Sequence, residues 1–186
     1  MGQASPLYVF MVASLLFLAL AFFAVGQAGA TRNGAQSAAD AAALAAAKES
    51  RDRFLLDDLD LAGWEDLFDG DLMGEDGCTA SGHYAARNGA AVAGEGCVML
   101  GDGRWGFRVT VRSTKPVGDT VLPGTEDRHA VATATAVVVP RCTFEPADDK
   151  DAPSPGSLDC EGTDLDLDPD DLPDMSDLFK VRLTED

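Results

Sequence analysis

Basic side chains are scarce in this sequence. Lys and Arg total 14 against 32 Asp and Glu, giving a formal net charge of -18 over 186 residues. Such a chain repels nucleic-acid phosphates, and the balance argues against docking through a basic patch on anionic lipid. Aromatics are few as well, 7% of the chain, so any core rests on Ala, Val and Leu. Histidine occurs twice, at His83 and His129. Ser81 stands too close to His83 for a nucleophile–base pair, and the Gly-Xaa-Ser-Xaa-Gly elbow is absent. There is no Walker-type glycine loop, and "GEGCVMLGDG" does not satisfy the dinucleotide fingerprint. Acids are so frequent that no pair stands out as a hydrolytic dyad. These absences point away from an enzyme, and no cofactor, metal or small-molecule substrate is implied.

Residues 7–26, "LYVFMVASLLFLALAFFAVG", carry no charge. About 20 such residues span a bilayer as a helix. The competing readings are a buried core helix and a cleaved signal peptide; small residues near Ala28 and Ala30 would suit cleavage, but the start "MGQASP" has no basic residue. We read a retained single-pass anchor in the cytoplasmic membrane, with residues 1–6 as a cytoplasmic segment. Arg32 follows the span and taken alone would hold that side inside. The long acidic region beyond it and its even number of cysteines, Cys78, Cys97, Cys142 and Cys160, favour an oxidising exterior. The expected orientation is therefore N-terminus in and C-terminal domain out. A natural start upstream, carrying basic residues, would reconcile this with Arg32.

Beyond the span comes "RNGAQSAADAAALAAA". Alanine is the best helix former yet buries little surface. Helix is expected to continue to about Arg53, a rod of roughly 70 Å at 1.5 Å per residue. Ala35, Ala38, Ala39, Ala42, Ala43 and Ala46 recur at spacings of three and four and share a face. Such a face permits close packing of helices; a plain alanine linker, helical by propensity alone, fits the periodicity equally well. Gln36 and Asp40 sit four apart, within hydrogen-bond reach. Lys48, Glu49, Arg51 and Asp52 read as the exit into solvent.

These residues resemble the N-terminal module of TadE/TadG-like proteins of the Flp (tight adherence) pilus assembly machinery. The resemblance covers about residues 2–48 and rests on Gly2, Arg32, Gln36 and the run Ala39-Asp40-Ala41-Ala42-Ala43-Leu44. It implies a bitopic envelope protein that acts by helix packing and protein contact, with other pilus-assembly or envelope proteins meeting the Ala-rich helix of residues 27–53. Pilin-like members carry a Glu shortly after a processing Gly; here that place holds Leu7, followed by Tyr8. TadG-like members tend to have an acid at the outer end of the span, where this chain has Gln27. The departures favour an accessory component over a polymerising subunit. The alternative is a tethered binding module, unrelated to pili, that takes cations, wall polymer or a secreted partner through its acidic loop.

Residues 54–142 are expected to form a small extracytoplasmic α+β domain. Trp64, Leu67, Phe68 and Leu72 have the spacing of a short amphipathic helix. An EF-hand starting at Asp58 would use Asp60, Ala62, Gly63 and Asp69, and it fails at the fifth and twelfth positions. Cys78 and Cys97 are read as a bridge; His83 between them matches no compact zinc spacing. "HYAARNGA" reads as one or two helical turns ending at Asn88-Gly89. Alternation predicts strands in "RWGFRVTVRSTKPV" and "RHAVATATAVVVPRC", joined as an antiparallel hairpin by a long turn-rich connection. Residues 143–177 are rich in Pro, Gly and Asp and read as an acidic flexible segment. Four cysteines allow three connectivities; sequence neighbours, with Cys160 joined to Cys142, are the first choice. Residues 178–186 offer a last edge strand on the hairpin.

Overall fold

After Pro6 the next proline is Pro116, so nothing in the sequence forces an early break in a helix. In the computed structural model, which describes residues 4–57, 59–116, 127–149 and 154–185, helix α1 runs without interruption over Ala4–Asp52. Its 49 residues extend about 73 Å. Ser14 and Thr31 donate their hydroxyls to the carbonyls of Phe10 and Gln27, one turn back, which satisfies polar groups within an apolar stem. Most large side chains from Leu7 to Val25 are exposed; Phe22, for example, is 76% exposed. The remaining helices are α2 (Leu61–Asp69), α3 (Cys78–Arg87) and the short α4 (Met175–Leu178). The strands are β1 (Ala90–Met99), β2 (Gly106–Ser113), β3 (Val131–Pro140), β4 (Cys142–Pro146), β5 (Gly156–Cys160), β6 (Thr163–Asp166) and β7 (Phe179–Thr184).

They form two antiparallel sheets, ordered β1-β2-β3-β7 and β4-β5-β6. The fold is α+β, with the expected hairpin as β2 and β3 at the centre of the larger sheet. Phe107, Val109 and Val111 face one way on β2, paired with Ala136, Ala134 and Ala132 of β3. That face is the core, and α1 and α3 cover it. The last strand pairs with β3, from Pro140 opposite Phe179 to Thr135 opposite Thr184.

Alternation gave no warning of β1. Its register slips between Val92 and Cys97, where Gly94 and Gly96 adopt left-handed φ of 66° and 81°. The bulge carries the strand back to the ladder at Cys97, opposite Val109. Residues 143–177 also depart from expectation. Instead of a loop, much of this segment is the second sheet. Leu158 and Leu167 are buried to 0% and 1% exposure, and Cys142 stands directly opposite Cys160 in the β4–β5 ladder. A few leucines and a cross-strand bridge suffice to order a stretch whose average composition is that of a solvated chain.

Eight aromatic residues lie beyond the span, and six of them make one connected chain. Phe54 meets Trp105, Trp105 meets Phe179, Phe179 meets Phe68, and Phe68 meets Phe144 and Trp64 at centroid distances of 5.1–6.4 Å. The chain joins α2 and the second sheet to the first. Pairs of this kind contribute about 0.5–1.5 kcal/mol each beyond area burial. Asp60, tested above as a calcium ligand, instead accepts the Gly63 N–H and caps α2, which ends at left-handed Gly70.

Candidate membrane and assembly interface

The alanine face is where the membrane stem becomes a folded domain. Ala38, Ala39, Ala42, Ala43, Ala46 and Ala47 are all 0% exposed. Their cover is the chain's own first sheet and α3. This corrects the expectation that partner helices meet that face: it is already occupied. Small side chains here let the helix axis approach β2 and β3, leaving room for the larger Phe107, Val109 and Val111. Facing α1, α3 buries its own small Ser81 and Ala85.

The four polar residues that end α1 were expected to mark its exit into solvent. Two of them, with Ser50 between, are instead tied into the domain. Glu49 accepts the Ala80 N–H at 2.6 Å, satisfying the open first turn of α3. Ser50, fully buried, donates to the Glu75 carbonyl and accepts from the Trp105 indole at 2.9 Å. Arg51, 8% exposed, donates to the Phe179 carbonyl at 3.0 Å and to Asp52. Partial burial works to raise the Asp52 carboxyl, but the Lys48 and Arg51 hydrogen bonds prevail and hold it below its ordinary value. Lys48 and Asp52 remain solvent-facing. Sequence reasoning missed this collar because its partners lie 25 to 128 residues away.

The other residues singled out from the sequence fall as follows. Gly2 lies outside the described residues. Arg32 is exposed, and Gln36 donates to Asp40 at 2.8 Å while reaching the Thr133 carbonyl at 3.5 Å. Ala39, Ala42 and Ala43 belong to the buried face. Ala41 and Leu44 are half-buried and line an open, mainly apolar groove with Ala80 and Tyr84. Cys78 is bonded to Cys97, and Cys142 to Cys160. Among the described residues, no group of three His, Cys, Asp or Glu side chains converges to hold a metal ion.

With this geometry established, comparison with known proteins assigns the class of the N-terminal module. Residues 2–49 match the family model Tad, Flp pilus-assembly TadE/G-like. The match ends within the polar collar and covers about a quarter of the chain. No curated protein and no solved structure matches the sequence. The module is thus TadE/G-like, its helix is long and apolar enough to cross a membrane, and the chain is a membrane protein.

Proposed function

We propose that the protein is a non-enzymatic, single-span structural or assembly component of a Flp-type pilus apparatus. Its N-terminus is inside and its disulfide-stapled domain outside the cytoplasmic membrane. The observation that carries this reading is the match of residues 2–49 to a Flp pilus-assembly family, placed on an apolar helix that continues into the domain's core. Two disulfides in the domain support the exterior placement, since such bridges persist in oxidising compartments. In this account the protein works by contact. Because the inner alanine face is filled by its own sheet, partners meet the lipid-exposed stem and the outer surfaces of the domain. Leu7 in place of a Glu favours an accessory role over incorporation into the fibre.

Deleting the gene is expected to reduce surface pili, counted by electron microscopy, and re-expression of the full chain is expected to restore them. Unchanged piliation, adhesion and complex formation in the deletion strain would contradict the proposal.

A further inference from the structure

The stem fixes which end of the domain faces the bilayer. Gln36 reaches the Thr133 carbonyl, and Arg51 reaches the carbonyl of Phe179, whose ladder partner is Pro140. Between these contacts α1 advances roughly 22 Å at 1.5 Å per residue, and β3 roughly 23 Å at 3.3 Å per residue. Helix and strand therefore run side by side, away from the span. Val131, paired with Arg112, lies about 7 Å back toward the membrane from Thr133. That places it level with Thr31 and Arg32, about 8 Å past Gly26, where the expected span ends and lipid headgroups lie.

This end is basic. Arg32, Arg87, Arg112, Lys115 and Arg128 are all exposed, and none forms an ion pair with a described residue. The Thr114 N–H bonds to the Gly89 carbonyl, setting the last turn of α3 and its Arg87 beside the end of β2. The Ser113 hydroxyl receives the Ala130 N–H and bonds the Lys115 carbonyl, drawing the two strand ends together. Among the described acids, Asp127 stands with them, and Asp40 and Glu185 lie beside Gln36 and Thr133, a step further from the span. Val131, 60% exposed, stands among these charges.

We propose that this end of the domain rests on the bilayer, its basic rim against the phosphates of anionic lipid headgroups and Val131 at their level. Net charge alone argued against such a patch; the fold gathers five of the chain's fourteen basic residues at one end, where a patch can act, while the acids of residues 59–76 lie elsewhere in the chain. The inference rests on the membrane-anchored reading above and holds for either leaflet.

The test uses the full chain in nanodiscs of phosphatidylcholine with or without phosphatidylglycerol, read by hydrogen exchange. Amides of residues 112–115 and 128–131 are expected to slow roughly thirtyfold with the anionic lipid, the factor that two such contacts supply. The combined R87Q, R112Q, K115Q and R128Q variant is expected to lose that gain while exchange elsewhere in the sheet stays unchanged. Equal exchange in both lipids overturns the proposal. So does protection in neutral discs on adding soluble polyglycerol phosphate without any response to anionic lipid, which would assign the rim to wall polymer. Failure of the chain to enter discs at all defeats the membrane reading itself, and the rim with it.

Discussion

Gly77→Ala is expected to destabilise the domain by about 3 kcal/mol or more, while Gly82→Ala, five residues on, stabilises it by up to about 1 kcal/mol. The opposite signs follow from what each new methyl group meets. At Gly77 it would overlap the Ala46 carbonyl oxygen and stand 2.7 Å from the Ser50 amide nitrogen, both backbone atoms of α1 that cannot swing aside. At Gly82, inside α3, nothing lies within 4 Å, and alanine gains helix propensity at no steric cost. Ala46→Leu probes the same contact from the other side, forcing a branched side chain where the wild-type residue is 0% exposed. For a chain of this size, 3 kcal/mol corresponds to a fall in Tm of roughly 6–12 °C. Thermal unfolding of the three variants checks the set. A Gly77→Ala protein as stable as wild type would mean that α1 and the start of α3 are not in close contact.

Loss of either disulfide is the second large effect, and the two should differ in where it falls. Each joins residues 18 or 19 apart, and closing a loop of that size stabilises by about 3 kcal/mol in the chain-entropy account. Replacing Cys142 and Cys160 by Ser is expected to cost that amount and to release the second sheet. The β4–β5 ladder starts at this pair, and its composition is otherwise that of a solvated segment. Replacing Cys78 and Cys97 is expected to cost a similar amount but to loosen α3 and the β1 bulge, leaving the second sheet ordered. Chemical denaturation gives the magnitudes, and hydrogen exchange by segment gives the location. Uniform loss of protection in both variants would argue against the separate roles.

Much of the architecture could be read from local pattern. The uncharged run, the alanine periodicity, the Trp64–Leu67–Phe68 stripe and the alternation around Phe107 and Ala134 each report a nearby period, and each lies in the element that period implies. What could not be read depends on distant partners. Nothing local to Ala42 says whether another molecule or the chain's own β3 will cover it. Ser50 looks like a surface residue until Trp105 and Glu75 are brought to it by the fold. β1 escaped notice because glycines at its bulge erase the alternation, and the second sheet because aspartates outnumber the few leucines that anchor it. The family signature was legible as a string, yet its geometry was not: the alanines it contains serve this domain's own core.

The central claim is that the last third of α1 is an internal part of the domain that follows it. The most direct test compares two soluble fragments under urea, residues 30–186 and residues 54–186, followed by far-ultraviolet circular dichroism and tryptophan fluorescence. The account predicts a single cooperative transition for the longer fragment, and for the shorter one no cooperative transition, with Trp105 exposed to solvent. A shorter fragment that unfolds cooperatively with the same sheet signal and buried tryptophans would contradict it.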